Sequence, residues 1–411
     1  MPPEERSEGM RSRKLLTRSR KLLALPIAGS LIGALWALPA GARLGTEVAP
    51  DVTDSSEVTD PSPELTPVPV AGPFEFPWSI GFLPDGAILV TEKPGRLQLI
   101  RAGSAMQEVG GVPLVLSGAH AGLLDVAVDL DFARTGTLYL SYAHGTEIAS
   151  TIRVLKARLD LPAHALVDQQ VIFESDPPAA GLEQLGGRIA LTRDGHLLLT
   201  LGDRWEGKRA QDLSDHAGSI IRIRLDGTVP EDNPFFSVAG AKREIWSYGH
   251  RNPQGLAIEP MSGQVWSVEH GPQGGDELNR IEAGLNYGWP IISSGLDYGG
   301  SPIGVGNAAA GMEPPVHHWT LPVAPSGLTV ARDGDRLKAW VGSLAGQMVV
   351  QLTVQQGQVR RERHLLEGEL GRVRDIRRGP DDLLYVITDD PAGWLYQLQP
   401  TTEQVAQDEA R

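Results

Sequence analysis

No cysteine occurs among the 411 residues. Disulfides, thiol nucleophiles and thiolate metal sites are therefore excluded, and any bound metal would need oxygen or imidazole ligands. Equally absent are a phosphate-binding glycine loop, a dinucleotide fingerprint behind a strand and a Ser-His-Asp order. Helical periodicity is almost missing beyond residue 76. Basic residues are in deficit: 37 Lys and Arg against 51 Asp and Glu give a formal charge of −14. That balance argues against nucleic acid and anionic membrane surfaces as partners.

What basic charge there is gathers at the start. Residues 1–42 hold seven Arg or Lys and three Glu, a local charge of +4 that leaves −18 on the remainder. Basic residues up to Lys21, an apolar run from Leu22 to Pro39 and the small triplet Ala40-Gly41-Ala42 follow the order of a secretory signal. The apolar run is nearly long enough to span a bilayer, so two outcomes stay open: a cleaved signal peptide or an uncleaved N-terminal membrane anchor. Either one predicts an exported, periplasmic protein. Residues 43–75 are rich in Pro, Thr, Ser, Asp and Glu and are expected to form a disordered acidic spacer. Residues 400–411 read as a polar C-terminal tail.

Between these ends one pattern recurs: an alternating apolar run, a turn often containing Asp-Gly, then a second and more hydrophobic run. Its six copies begin at Pro77, Gly122, Gly187, Gln254, Ser326 and Val373, and each has the signature of a β-hairpin. Short apolar runs such as 96–100, 220–225, 348–352 and 395–398 supply further strands. Wide, regular spacing of hairpin-plus-strand units predicts an all-β fold, a six-bladed β-propeller over residues 76–399. The polar insertions 204–218 and 273–312 are expected as loops on one face, where propellers commonly build binding sites.

The richest chemistry lies in 250–290, HRNPQGLAIEPMSGQVWSVEHGPQGGDELNRIEAGLNYGWP. Gly271, Pro272, Gly274 and Gly275 fit a tight loop that brings backbone groups close to a ligand, and Asp276 and Glu277 offer hard oxygen donors to a cation. The ordered set GHRNPQGLA, EHGPQGGDELN, NYGWP and GRVRDI resembles the glucose/sorbosone dehydrogenase family, soluble sugar dehydrogenases that use pyrroloquinoline quinone (PQQ). The GGDELN form looks most like the aldose sugar dehydrogenase branch. The resemblance covers about residues 76–399 and implies oxidation of an aldose at C1 to the lactone, with PQQ and Ca²⁺ as cofactors and an external electron acceptor. It implies that Arg372 and Arg374 bind PQQ, that Arg251, Asn252 and Gln254 lie beside it, and that carbonyls of Gly271 and Pro272 hold the catalytic Ca²⁺. By the same resemblance Glu277 and Tyr287 belong to a second, structural Ca²⁺ site, Asp203 orients the catalytic base and Trp319 walls the sugar site.

The chain departs from that family at telling positions. Where the family has a histidine as general base, the segment here reads Gln184-Leu185-Gly186-Gly187-Arg188, and a neutral carboxamide cannot accept a proton near pH 7. Ala345 stands where the family carries a PQQ-contacting lysine. His120 occupies a position usually held by Gln or a small residue lining the same pocket. One expectation is that His120 has become the base and Gln184 the positioning amide, with Glu183 as a further candidate. The alternative is a catalytically impaired member that serves as a saccharide-, quinone- or protein-binding propeller.

Overall fold

The computed structural model describes residues 64–401; the signal or anchor segment, most of the expected spacer and residues 402–411 lie outside the described residues. The described chain is almost wholly β, with a four-residue helix at Phe132–Thr135 and a single 3₁₀ turn at Gly207–Gln211. Its strands form six four-stranded antiparallel sheets. Blade 1 comprises Pro77–Phe82, Ile88–Glu92, Arg96–Ile100 and Gln107–Glu108, and blade 2 comprises Leu123–Val128, Thr137–Thr146, Ala149–Asp160 and Ala165–Glu174. Blade 3 is built from Gly186–Leu191, His196–Leu201, Ser219–Arg224 and Ile245–Tyr248, and blade 4 from Pro253–Ile258, Val265–Glu269, Asp276–Ile281 and His317–Trp319. Blade 5 holds Pro325–Asp333, Arg336–Ser343, Met348–Gln355 and Gln358–Leu365, and blade 6 holds Val373–Arg378, Leu384–Thr388 and Gly393–Pro400. First strands of successive blades touch one another, and that of blade 6 touches that of blade 1, which closes the ring. The six-bladed β-propeller is as the repeat predicts, and every first strand starts within one residue of its sequence copy.

Two expectations are corrected. The fourth strand of blade 6 is Leu65–Phe74, paired with Gly393–Pro400 from Leu65↔Pro400 to Phe74↔Gly393, where the sequence predicts spacer. Its prolines hide it from a strand search, yet an outermost strand leaves one row of N–H groups unpaired, so proline is tolerated there. Phe74 at its end is buried in the core. Asp276–Ile281, inside the expected 273–312 loop, is the third strand of blade 4; its buried Leu278 packs with Trp266 and Val268.

Between blades the packing is apolar, but the ring itself is held by hydroxyls and charge. The second strand of one blade donates to the first strand of the next at Thr91 to the Leu124 carbonyl, Ser141 to Gly187 and Thr200 to Pro253. Beneath these, Asp125 and Asp375 bind Arg188 at 3.4 and 3.2 Å and Arg377 at 3.1 and 3.0 Å. Three of the four are almost wholly buried, and Arg188 also lies 4.1 Å over the Trp78 ring. Such a network tolerates burial only because each charge has a partner.

Candidate active site

In every blade the first two strands pair with a register shift near the start of the first strand. A bulge there bends the strand and re-aims its side chains. Because the pair is antiparallel, the start of the first strand and the end of the second share one end of the propeller. His120, Gln184, Asn252, Gln254, Arg372 and Arg374 sit at or just before first strands, whereas Lys93, Asp203, Gly271, Ala345 and Asp389 follow second strands. Residues far apart in sequence thus meet at one mouth. At the other end of the same strands a cavity of about 570 Å³ is lined by Ile80, Val126, Leu256, Val330 and Arg377. None of the candidate residues lines it.

The cationic part of the site is a shared carboxylate. Arg372 and Arg374 both bind Asp389, at 2.9 and 3.0 Å; burial alone would raise the Asp389 pKa, but the two guanidinium groups hold it down at about 2. Arg374 also donates to Oε1 of Gln254 at 3.2 Å, Gln254 donates to Oδ1 of Asn252 at 3.2 Å, and the same oxygen accepts the Gly186 N–H at 3.2 Å. The sequence-predicted pair and the Asn-x-Gln group therefore form one connected network.

Arg251 occupies a second part. Its guanidinium lies 5.4 Å from the Trp205 ring and 5.2 Å from the Trp289 ring, donates to the Gly271 carbonyl at 2.8 Å and reaches the Tyr298 hydroxyl at 3.2 Å. Its buried Nε has no partner among the described residues. Trp205 and Tyr298 are exposed with rings 5.6 Å apart. Arg204 and Trp205 are both left-handed, at φ 61° and 63°, a conformation disfavoured for bulky residues. Sequence reading passed over Trp205 and Tyr298; only their exposure beside Arg251 distinguishes them from packing aromatics.

Gln184, buried and left-handed at φ 48°, lies between Asp203 and Arg251. With its amide nitrogen on Oδ1 of Asp203, its oxygen is 2.8 Å from Nη2 of Arg251. Asp203 further accepts from the Trp289 indole at 2.7 Å and the Trp205 N–H at 3.0 Å. Burial pushes its pKa up to about 6 against those donors and Arg251. The carboxylate thus holds a side chain at the position of the expected base, and that side chain is an amide.

His120 is brought beside Gln184 through an unexpected contact: its Nδ1 accepts the Gln184 backbone N–H at 3.2 Å. The neutral ring then carries its proton on Nε2, so in this arrangement His120 presents a donor where a base replacing the family histidine would present an acceptor. Desolvation and the Arg374 and Lys93 charges further lower its pKa. Glu183 spends a carboxylate oxygen on the Leu182 N–H at 2.9 Å.

The metal expectations divide. Gly271 and Pro272 lie in a loop where a Cβ at Gly271 would stand 2.2 Å from the Gly274 carbonyl oxygen, with Gly274 and Gly275 at φ 70° and 69°. The Gly271 carbonyl faces the site, but Asp276 does not: it accepts the N–H groups of Gly271, Val323 and Ala324 at 2.7–2.8 Å and is the clamp of the loop. Burial and the neighbouring Glu269 raise Glu277 to a pKa of about 8. Asn279 donates to it at 3.1 Å while its own buried Oδ1 is unpartnered, so this corner offers two oxygen donors. The Tyr287 side chain is unavailable there, since its hydroxyl donates to the Arg280 carbonyl at 2.6 Å and accepts the Glu282 N–H at 2.9 Å. Among the described residues no three His, Asp or Glu side chains converge as a metal site.

Trp319 is buried in the core between blades 4 and 5, and its indole donates to Glu362 at 3.1 Å, so little of the ring is open to a ligand. His250 and His270 prove structural. His250 binds Glu269 and Ser247, each at 2.9 Å, and His270, 2.9 Å from the Pro325 carbonyl, is held at a pKa of about 3 by burial and the nearby arginines.

The profile described as Glucose / Sorbosone dehydrogenase matches residues 74–397. The chain belongs to the glucose/sorbosone dehydrogenase family. Within that family it is 39% identical over 402 residues to an uncharacterised protein of Synechocystis, covering 92% of this chain and 97% of that one. It is 35% identical over 380 residues to the aldose sugar dehydrogenase of Escherichia coli, covering 90% and 96%. The apo crystal structure of the soluble E. coli aldose sugar dehydrogenase superposes with a TM-score of 0.79 at 35% identity, over 82% of this chain and 100% of that one. The PQQ-bound aldose sugar dehydrogenase of Streptomyces coelicolor gives 0.67 at 26% identity, with the same coverage.

Proposed function

We propose that this family member is an exported quinoprotein, periplasmic in location, that oxidises an aldose at C1 with PQQ and Ca²⁺. The observation that carries this reading is the network of Arg372, Arg374 and Asp389 joined through Gln254 to Asn252. A planar tricarboxylate needs fixed cations and in-plane donors, and bidentate guanidinium groups serve both ends of that requirement. The residues present fit PQQ: two arginines for carboxylates, Asn252 and Gln254 beside them, and a buried, unpartnered Arg251 Nε. For Ca²⁺ the protein would contribute the carbonyls of Gly271 and Pro272, with the remaining oxygens coming from the cofactor and water.

When bound, PQQ would supply a two-electron acceptor for the hydride from C1, with the C1 hydroxyl proton passing to water, so that the aldose becomes the lactone and the two electrons go on to an external acceptor. The chain's own residues orient and polarise. Gln184, locked between Asp203 and Arg251, can hold a hydroxyl but not deprotonate it. The Arg251 guanidinium, flanked by Trp205 and Trp289, is set to stabilise developing negative charge. Without an imidazole acceptor the proton transfer should be slow, by about a hundred- to ten-thousand-fold relative to a site with a general base.

The test supplies the purified protein with Ca²⁺ and PQQ and follows the quinone absorbance as a panel of aldoses is added. Sugar-dependent bleaching is the expected result, and tight binding with no reduction by any aldose would refute dehydrogenase activity.

A further inference from the structure

Lys93 follows the second strand of blade 1, and no motif marks it. Its ammonium donates to the Ala119 carbonyl at 3.0 Å and lies 4.9 Å above the Phe76 ring. Its backbone is fixed as well: the Lys93 carbonyl accepts the Leu123 N–H at 3.0 Å, and a Cβ at Gly122 would stand only 2.3 Å from that oxygen. The amine is therefore held against the loop that carries His120. Its backbone N–H donates to the Phe76 carbonyl at 3.1 Å, and the Phe76 N–H donates at 3.0 Å to the carbonyl of Asp390, the residue after Asp389, so Lys93 is tied to the turn that carries the shared carboxylate.

Charge in this patch is unbalanced. Three cations, Lys93, Arg372 and Arg374, share one carboxylate, Asp389, which both arginines already bind. Lys93 is half-buried and forms no ion pair among the described residues, and burial first, then the Arg374 and Arg372 charges, lower its pKa against the opposing charge of Asp389. A partly desolvated ammonium beside two guanidinium groups is unfavourable unless an anion joins them. Ala345, where the sequence lacks the family's lysine, is exposed on the other flank of Arg372, which lies 3.4 Å from the adjoining Leu344 carbonyl. We propose that Lys93 supplies the cation missing at Ala345, binding a carboxylate of PQQ together with Arg372 and Arg374. This inference rests on the reading that the mouth takes PQQ.

The test measures PQQ affinity of the full-length protein without sugar, by quenching of tryptophan fluorescence, for wild type, Lys93→Met, Lys93→Arg and the double variant Lys93→Met/Ala345→Lys. Methionine keeps the stem over Phe76 and removes the charge. It should weaken binding about ten- to a hundred-fold, the loss of one charge-assisted hydrogen bond, and flatten the salt dependence of Kd. Arginine at 93, or lysine at 345 in the methionine background, should bring Kd back to within about five-fold of wild type. Equal affinity of Lys93→Met and wild type overturns the inference while leaving the function reading intact. So does a loss that neither cationic replacement restores, since that marks a packing effect. Absence of PQQ binding by wild type overturns the function reading and the inference with it.

Discussion

Nδ1 of His120 accepts the backbone N–H of Gln184 at 3.2 Å. That lone pair is committed to the protein, so in this arrangement neither His120 nor the Gln184 amide presents a basic nitrogen. Gln184→His should therefore raise the rate of aldose-dependent quinone reduction by about a hundred-fold or more, with Asp203 already placed to orient the new ring. His120→Ala should change that rate by less than about ten-fold. A larger loss in stopped-flow reduction would restore His120 as the base.

Asp203 gives the site a pH dependence. Burial raises its pKa to about 6 in the folded protein, above the unfolded carboxyl, so the folded state binds the extra proton. The associated stability is fully present below about pH 4 and is lost as pH rises through about 6. Relative to Asp203→Asn, the wild type should lose up to about 3 kcal/mol across that window. Chemical denaturation at a series of pH values checks this, and parallel curves for the two proteins would refute it.

The buried quartet makes an unequal pair of predictions. Asp125→Asn leaves Arg188 and Arg377 without half of their counter-charge in the ring and should cost about 3–5 kcal/mol of stability. Arg134→Ala breaks only the exposed pair with Asp131 and should cost less than about 1 kcal/mol. Urea midpoints of the two variants discriminate directly.

Closure of the ring depends on the strand that the sequence boundary omits. A chain beginning at residue 76 lacks Leu65–Phe74 and exposes the edge of Gly393–Pro400. It should lose its single cooperative melt or associate through the open edge, and calorimetry with light scattering reports either outcome. A monomer melting like the parent would show that the strand is dispensable.

The blade count was legible because two β-rich apolar runs joined by a turn recur six times from Pro77 to Val373, as strands buried on both faces between neighbouring blades require. The closing strand was not, because Pro67, Pro69 and Pro73 mimic a spacer until a partner 330 residues away turns them into an edge. In the site, Arg372, Arg374, Asn252 and Gln254 could be read from motifs. Trp319 could not be separated from packing aromatics, nor Trp205 and Tyr298 recognised as exposed, since a sequence does not say which way an indole faces.

The sequence by itself determined the propeller, the family and the amide at position 184, because periodicity and residue identity are local and survive without coordinates. Only the tertiary structure decided that Asp276 clamps a loop, that the acceptor nitrogen of His120 is spent on a backbone N–H, and that Lys93 of blade 1 is tied through Phe76 to Asp390 of blade 6. Those outcomes depend on which groups meet across the closed ring, and hydrogen bonding and electrostatics fall off too steeply with distance to be read from order along a chain.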